Sequence, residues 1–109
     1  MSAEYWKVDK KANFQYGGEK ETFKSIEKYT TDKMNWPSQD DCIGNVYVRV
    51  LINENGTLSD FTILKGLEGC RGFNEEALRL VKNMPKWKPS EINGKAVKSY
   101  YVIPINFKF

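Results

Sequence analysis

The sequence predicts an α+β domain in which two helices cover one face of a three-stranded antiparallel sheet. Three observations lead to this prediction: strict alternation of apolar residues over 44–53, an Asn-Gly pair directly after it, and two stretches with helical spacing. The 109 residues fit one domain with one core. We expect the order helix, strand, strand, helix, strand, with the last strand at an edge.

The first two strands are predicted to form a hairpin. Residues 44–53 alternate, and one face carries Val46, Val48, Val50 and Ile52. Asn55-Gly56 predicts a two-residue turn in which Glu54 pairs with Thr57. The return strand, 57–65, changes its apolar parity, which indicates a bulge near Ser59-Asp60.

Both helices show an apolar stripe and a stop signal. Residues 19–33 carry Phe23, Ile26 and Thr30 at helical spacing, and Trp36-Pro37 ends this helix. Residues 74–84 begin at Asn74, a good N-cap, and end before Pro85. Residues 85–95 are then predicted to be an extended arm with a turn at Asn93-Gly94. Residues 1–17 are predicted to be a loosely attached lead-in, so the domain proper is 18–109.

The last strand, 96–109, is long and apolar and includes a proline. Pro104 has no N–H to donate to a ladder, which favours an edge position. A long apolar edge must be covered or used. One face carries Tyr101, Ile103, Ile105, Phe107 and Phe109, and the other carries Lys98, Tyr100, Val102, Pro104, Asn106 and Lys108. The strand therefore predicts binding of another chain through its edge.

The residue types exclude most catalytic chemistry. The chain has no histidine, the commonest general base and metal ligand. Two cysteines cannot form a four-ligand zinc site alone, and no phosphate-binding loop is present. Lys86-Trp87-Lys88 could stack on nucleic acid, but Trp87 follows the helix stripe, so core packing is the better interpretation. We expect no enzyme, metal, cofactor or nucleic-acid partner.

The two cysteines leave two alternatives. In the predicted hairpin register Cys42 lies opposite Gly69, and one bulge would bring it to Cys70. The pair is then either a disulfide or two unlinked thiols.

Several short motifs in one order resemble a known family. The segment EEALRLVKNMPKWKPSEINGKAV, followed by IPINF, is similar to the C-terminal domain of TonB, the energy transducer of the Gram-negative envelope. Upstream, Gly17-Gly18 before a helix, Trp36-Pro37 and Gly44-Asn45-Val46 stand where the family has similar motifs. The resemblance covers about residues 8–109; Trp36 replaces the usual tyrosine, and residues 12–16 depart from the family pattern.

The resemblance implies a periplasmic domain that binds the TonB box of an outer-membrane transporter by strand addition. The inner-membrane helix and Pro-rich spacer of the family are absent, so we expect a piece of a longer protein that is tethered to the inner membrane and contacts its motor proteins. The implied partner-binding residues are Lys98, Ser99, Tyr100, Tyr101, Val102, Ile103 and Asn106, with Trp36 and Pro37 near the sheet end. For Trp36 a plain core role is the alternative.

Other assignments stay open. The same fold could serve an envelope sensor or membrane peptidase as an accessory domain, or act as a stand-alone adaptor without energy transfer. A monomer and a weak or swapped homodimer are both compatible with an edge strand.

Overall fold

The computed structural model describes residues 8–37 and 42–108, together with the main chain of residues 2–3. Its elements in chain order are β1 (Ser2–Ala3), α1 (Thr22–Lys33), β2 (Gly44–Ile52), β3 (Leu58–Lys65), α2 (Arg71–Lys82), β4 (Ser90–Ile92) and β5 (Lys95–Phe107). Phe109, which is predicted to lie on the apolar face of the last strand, is outside the described residues.

The main sheet has four strands in the order β1-β5-β2-β3. Strand β2 is antiparallel to both β3 and β5, whereas β1 runs parallel to β5. The short strand β4 pairs with the start of β5. The prediction of an α+β fold with two helices is confirmed, but the prediction of three strands is wrong. Strands of two and three residues are too short to show a period of two in the sequence.

The core lies between the sheet and the two helices. The predicted face of β2 is fully buried at Val46, Val48, Val50 and Ile52. Helix α1 contributes Ile26 and Tyr29 to it, and α2 contributes Phe73, Ala77, Leu80 and Val81. The Tyr29 hydroxyl donates to the Leu80 carbonyl at 2.6 Å and so ties the two helices together. Burial raises the pKa of Tyr29.

The hairpin between β2 and β3 differs from the prediction at its turn. The Asn53 N–H donates to Thr57, and Gly56 has φ +86°, so the loop has three residues instead of two. The predicted bulge is confirmed, because the register shifts between Arg49 and Leu51 and Asp60 has φ +52°. A second shift follows between Tyr47 and Val48.

The helices begin elsewhere than predicted. Helix α2 begins at Arg71, three residues before the expected position, and its N-cap is Cys70. Asn74 lies inside the helix, and its Oδ1 accepts from the Leu67 N–H at 2.8 Å, so this polar side chain holds the preceding loop. Helix α1 begins at Thr22, and Phe23 is not part of its buried stripe: its side chain is 59% exposed.

Part of the predicted lead-in belongs to the core. Ala12 is almost fully buried and Phe14 fully buried, and the Phe14 ring stacks on Trp87 with centroids 5.1 Å apart. The prediction of a loose attachment is therefore wrong for residues 12–14. The same contact supports the core interpretation of Trp87, which is 3% exposed.

Candidate partner-binding edge

Strand β5 pairs with β4 at its first residues and lies between β2 and β1 at Ser99. On the inner side it pairs with β2 without a shift from Gly44 opposite Phe107 to Ile52 opposite Ser99. On the outer side β1 covers Lys98 and Ser99. From Tyr100 onward, no strand in the described part of the chain pairs on this side. The expected edge position is therefore wrong for the start of the strand.

The main-chain groups of β5 alternate between the two sides. The Asn53 N–H donates to Thr57, on the side of β2 where β3 lies. The main-chain groups of the preceding residue, Ile52, therefore face β5. Since Ile52 lies opposite Ser99, Ser99 faces β2 and the next residue faces outward. We call the main-chain groups that face outward beyond β1 the outer edge, and they belong to Tyr100, Val102, Pro104 and Asn106.

This alternation explains how a proline fits in a long strand. The nitrogen of Pro104 faces the outer edge, where no bond to β2 is needed. Strand β5 therefore keeps its ladder to β2 through Pro104. The outer edge has four carbonyl acceptors and three N–H donors, and the N–H of Tyr100 is the one that bonds to Ala3 of β1.

The structure divides the predicted binding residues between two faces. Ser99 and Ile103 are fully buried, and Ser99 Oγ lies 2.7 Å from Ser90 Oγ in the core. Tyr101 packs on Trp87 with ring centroids 4.9 Å apart. The side chains of these three residues therefore lie on the face of β5 that packs on the core. The other predicted residues on β5 are partly or fully exposed: Lys98, Tyr100, Val102 and Asn106.

A small polar network holds Tyr100 on the open face of the sheet. Its hydroxyl donates to Asp60 at 2.9 Å, which raises the pKa of Tyr100. The guanidinium of Arg49 lies 4.8 Å from the centre of the Tyr100 ring. The φ +52° bulge residue Asp60 therefore fixes a side chain beside the outer edge.

Trp36 and Pro37 lie at the end of β5. The Trp36 ring packs edge-on against Phe73 and Phe107, with centroids 5.2 and 6.1 Å away. The side chain is 36% exposed, so it is neither a plain core aromatic nor a fully open one. Pro37 packs beside Gly72 at the start of α2.

A buried carboxylate fixes the chain just before Trp36. Glu76 on α2 accepts from the Asn35 N–H at 2.6 Å and from Arg79 at 2.7 Å. Arg79 also donates to the carbonyl of Lys33, the last residue of α1. The position of Trp36 is thus set by hydrogen bonds at the preceding residues.

A groove runs between α1 and the end of β5. The sequence does not predict this groove, because the spacing of Phe23 and Ile26 places Phe23 on the buried stripe of the helix. Its helical wall is formed by Phe23, Glu27, Thr30 and Thr31, and its strand wall by Pro104, Asn106 and Lys108, with Asn45 and Tyr47 from β2. The signal in the sequence is weak: Phe23 is one turn from Ile26 and looks like part of the same stripe.

Cys42 and Cys70 form a disulfide in the structure. The two register shifts in the hairpin explain how they meet. At the turn Ile52 pairs with Leu58, a register that would place Glu68 opposite Cys42. Each shift advances β3 by one residue, and the last register, Tyr47 opposite Lys65, would place Cys70 opposite Cys42 if it continued beyond the strands.

Within the described residues, no group of three or more His, Cys, Asp or Glu could hold a metal ion. None of the helices described is long and apolar enough to cross a membrane.

Comparison with known proteins identifies a family for this chain. The family model for the C-terminal region of Gram-negative bacterial TonB proteins matches residues 39–109. That region contains β2, β3, α2, β4 and β5 and begins after α1. No curated protein and no solved structure matches the chain.

Proposed function

Because the chain belongs to the family of Gram-negative TonB C-terminal domains, we propose that it binds a segment of an outer-membrane transporter by strand addition. The added segment pairs with the outer edge of β5. In the longer protein, anchored in the inner membrane and driven by its motor proteins, this pairing transmits force to the transporter and couples the proton motive force to nutrient import. We place the domain in the periplasm.

The observation that carries this proposal is the outer edge itself. Four consecutive outward positions beyond β1 have no pairing strand among the described residues. Strand addition takes its affinity from main-chain hydrogen bonds and its specificity from alternate side chains. The exposed Val102 and the oriented Tyr100 supply side chains on the open face.

Two further features support the assignment. Trp36 and Pro37 lie at the end of β5, where they would contact a partner that continues past the strand. The disulfide fits an oxidising compartment such as the periplasm.

A proline substitution tests the pairing directly. Val102→Pro removes an outward N–H without touching the ladder to β2, as Pro104 already shows for its own position. We expect binding of plug-side transporter segments to weaken by about tenfold or more, because one hydrogen bond is lost and the ring blocks the added strand. Val102→Thr keeps the N–H and serves as the control.

The measurement is a titration of the isotope-labelled domain with a panel of such segments. Amide shifts concentrated on residues 100–106, together with weak binding by Val102→Pro alone, support strand addition. Shifts confined to the helices, or equal affinities for both variants, contradict it. Binding by no segment would favour the accessory-domain or adaptor assignment.

A further inference from the structure

The groove between α1 and the end of β5 borders the strip where the proposed partner strand would lie. We propose that this groove selects the partner's side chains, accepting an apolar side chain and, two positions away, a basic one. This inference rests on the proposed strand addition and names the chemistry of the segment that binds.

The helical wall has a spacing that suits a strand. Phe23, Glu27 and Thr31 follow one another at four-residue steps, so they form one stripe with a rise of about 6 Å per step. Alternate side chains on an extended strand are about 6.6 Å apart. Side chains of an added strand that point toward α1 would therefore meet successive members of this stripe.

The groove is as long as a short peptide segment. Residues 23–31 span about 12 Å along a helix, and residues 104–108 span about 13 Å along a strand. Both stretches line the same groove. Helix α1 and the end of β5 therefore line the groove over similar lengths. Two or three alternate side chains of a partner strand fit between them.

The chemistry of the stripe defines the partner. Phe23 is 59% exposed, whereas Ile26, three residues on, is 1% exposed, so the phenyl ring belongs to the groove and not to the core. One exposed aromatic alone is ordinary. Here it lines the same groove as Pro104, so an apolar side chain between the two walls would bury surface on both.

The charge of Glu27 determines the residue type at the second position of the partner segment. Glu27 is the acidic group in the groove. Lys24, one turn before it on the helix, is paired with Glu21 at 3.1 Å. A basic partner side chain one step from the apolar one would reach Glu27. Lys108 stands on the strand wall and would repel the same side chain there. The expected pattern is apolar-x-Lys or apolar-x-Arg.

The test is a display library of random nine-residue peptides, selected separately on the wild-type domain and on single variants. Wild type should enrich apolar-x-basic peptides. Glu27→Lys should enrich apolar-x-acidic peptides instead, because the charge of the helical wall is reversed. Phe23→Ala should bind the wild-type peptides about fivefold more weakly, since less apolar surface is buried.

Two control variants lie away from the groove. Leu64→Ala removes an apolar side chain of 51% exposure on β3, and Glu54→Lys reverses an exposed charge at the hairpin turn. Both should give the wild-type pattern. All four substituted side chains are exposed, so the fold should persist in each variant.

The outcomes separate this inference from the proposed function. Suppose that the enriched peptides shift the amides of the outer edge but have the same pattern on wild type and on Glu27→Lys. This result would contradict selection by the groove and would leave strand addition supported. A library that enriches no peptide on wild type would overturn both. A switch of the enriched charge with Glu27→Lys alone supports the groove.

Discussion

At the scale of a single residue, Gly56 joins the β2–β3 turn to the segment before β4. Its φ is +86°, and its carbonyl accepts from the Trp87 N–H at 2.9 Å. A Cβ at this position would overlap the carbonyl oxygen of Trp87. We expect Gly56→Ala to lower the free energy of unfolding by about 3 kcal/mol, measured by urea denaturation, because strain and overlap add.

Gly18 is the matched control for this prediction. Its φ of +83° is almost the same, but an added Cβ would have no atom within 4 Å. Gly18→Ala should therefore cost only about 1–2 kcal/mol, the penalty of the left-handed conformation. Equal losses in the two variants would show that the overlap with Trp87 is relieved without cost.

Glu19 lies just before α1, and main-chain hydrogen bonds hold its carboxylate. Its carboxylate accepts from the N–H groups of Glu21 and Lys20 at 3.1 and 2.9 Å. These bonds, that of Glu21 first, lower the pKa of Glu19 below its ordinary value.

A lowered folded-state pKa has a defined effect on stability. The contribution of Glu19 is present above the pKa of the unfolded chain and is lost as the pH falls through the folded value, in the acidic range. Between pH 7 and pH 3, the free energy of unfolding should fall less steeply for Glu19→Gln than for wild type. Identical slopes, or an NMR titration with an ordinary pKa, would contradict this.

At the scale of elements, the disulfide fastens the beginning of β2 to the beginning of α2. It joins Cys42 to Cys70, 28 residues apart. Closing a loop of this length stabilises a protein by about 3–4 kcal/mol on the chain-entropy model. We expect the double variant Cys42→Ser, Cys70→Ser to lose about that much in free energy of unfolding.

Reduction provides the control for this prediction. A reducing agent should lower the stability of the wild type to that of the double variant and leave the double variant unchanged. A wild type that is insensitive to full reduction would show that packing alone fixes the two elements.

The elements also show what the sequence could predict. Strands β2 and β5 and both helices were predictable, since each has a period long enough to recognise. The register of the hairpin was not, because Gly56 serves a three-residue turn as well as a two-residue one. One residue of difference there changes which position lies opposite Cys42, so the disulfide could not be decided.

Tertiary contacts explain what the sequence could not supply. Phe14 is buried because Trp87, far along the chain, stacks on it. Phe23 is exposed although it follows the same spacing as Ile26. Strand β1 forms by pairing with β5, far along the chain. None of these outcomes follows from local patterns, and two of them shape the candidate site.

At the scale of the whole molecule, the two ends of the chain meet on one strand. Strand β1 pairs in parallel with Lys98 and Ser99, on the side that the proposed partner would use. Since Ser99 faces β2, β1 bonds to the outward groups on either side of it, those of Lys98 and the N–H of Tyr100. The N-terminal segment and the partner strand therefore share one row of main-chain groups, and a partner that extends to Lys98 must displace β1.

Removal of residues 1–7 tests this competition. The core begins at Ala12, so the shortened chain should keep its fold and unfold at nearly the same urea concentration. We expect transporter segments to bind about threefold more tightly, because one further hydrogen-bonding position becomes available. Amide shifts on binding should then include Lys98, whereas unchanged affinity with shifts that stop at Tyr100 would show that β1 and the partner occupy separate parts of the edge.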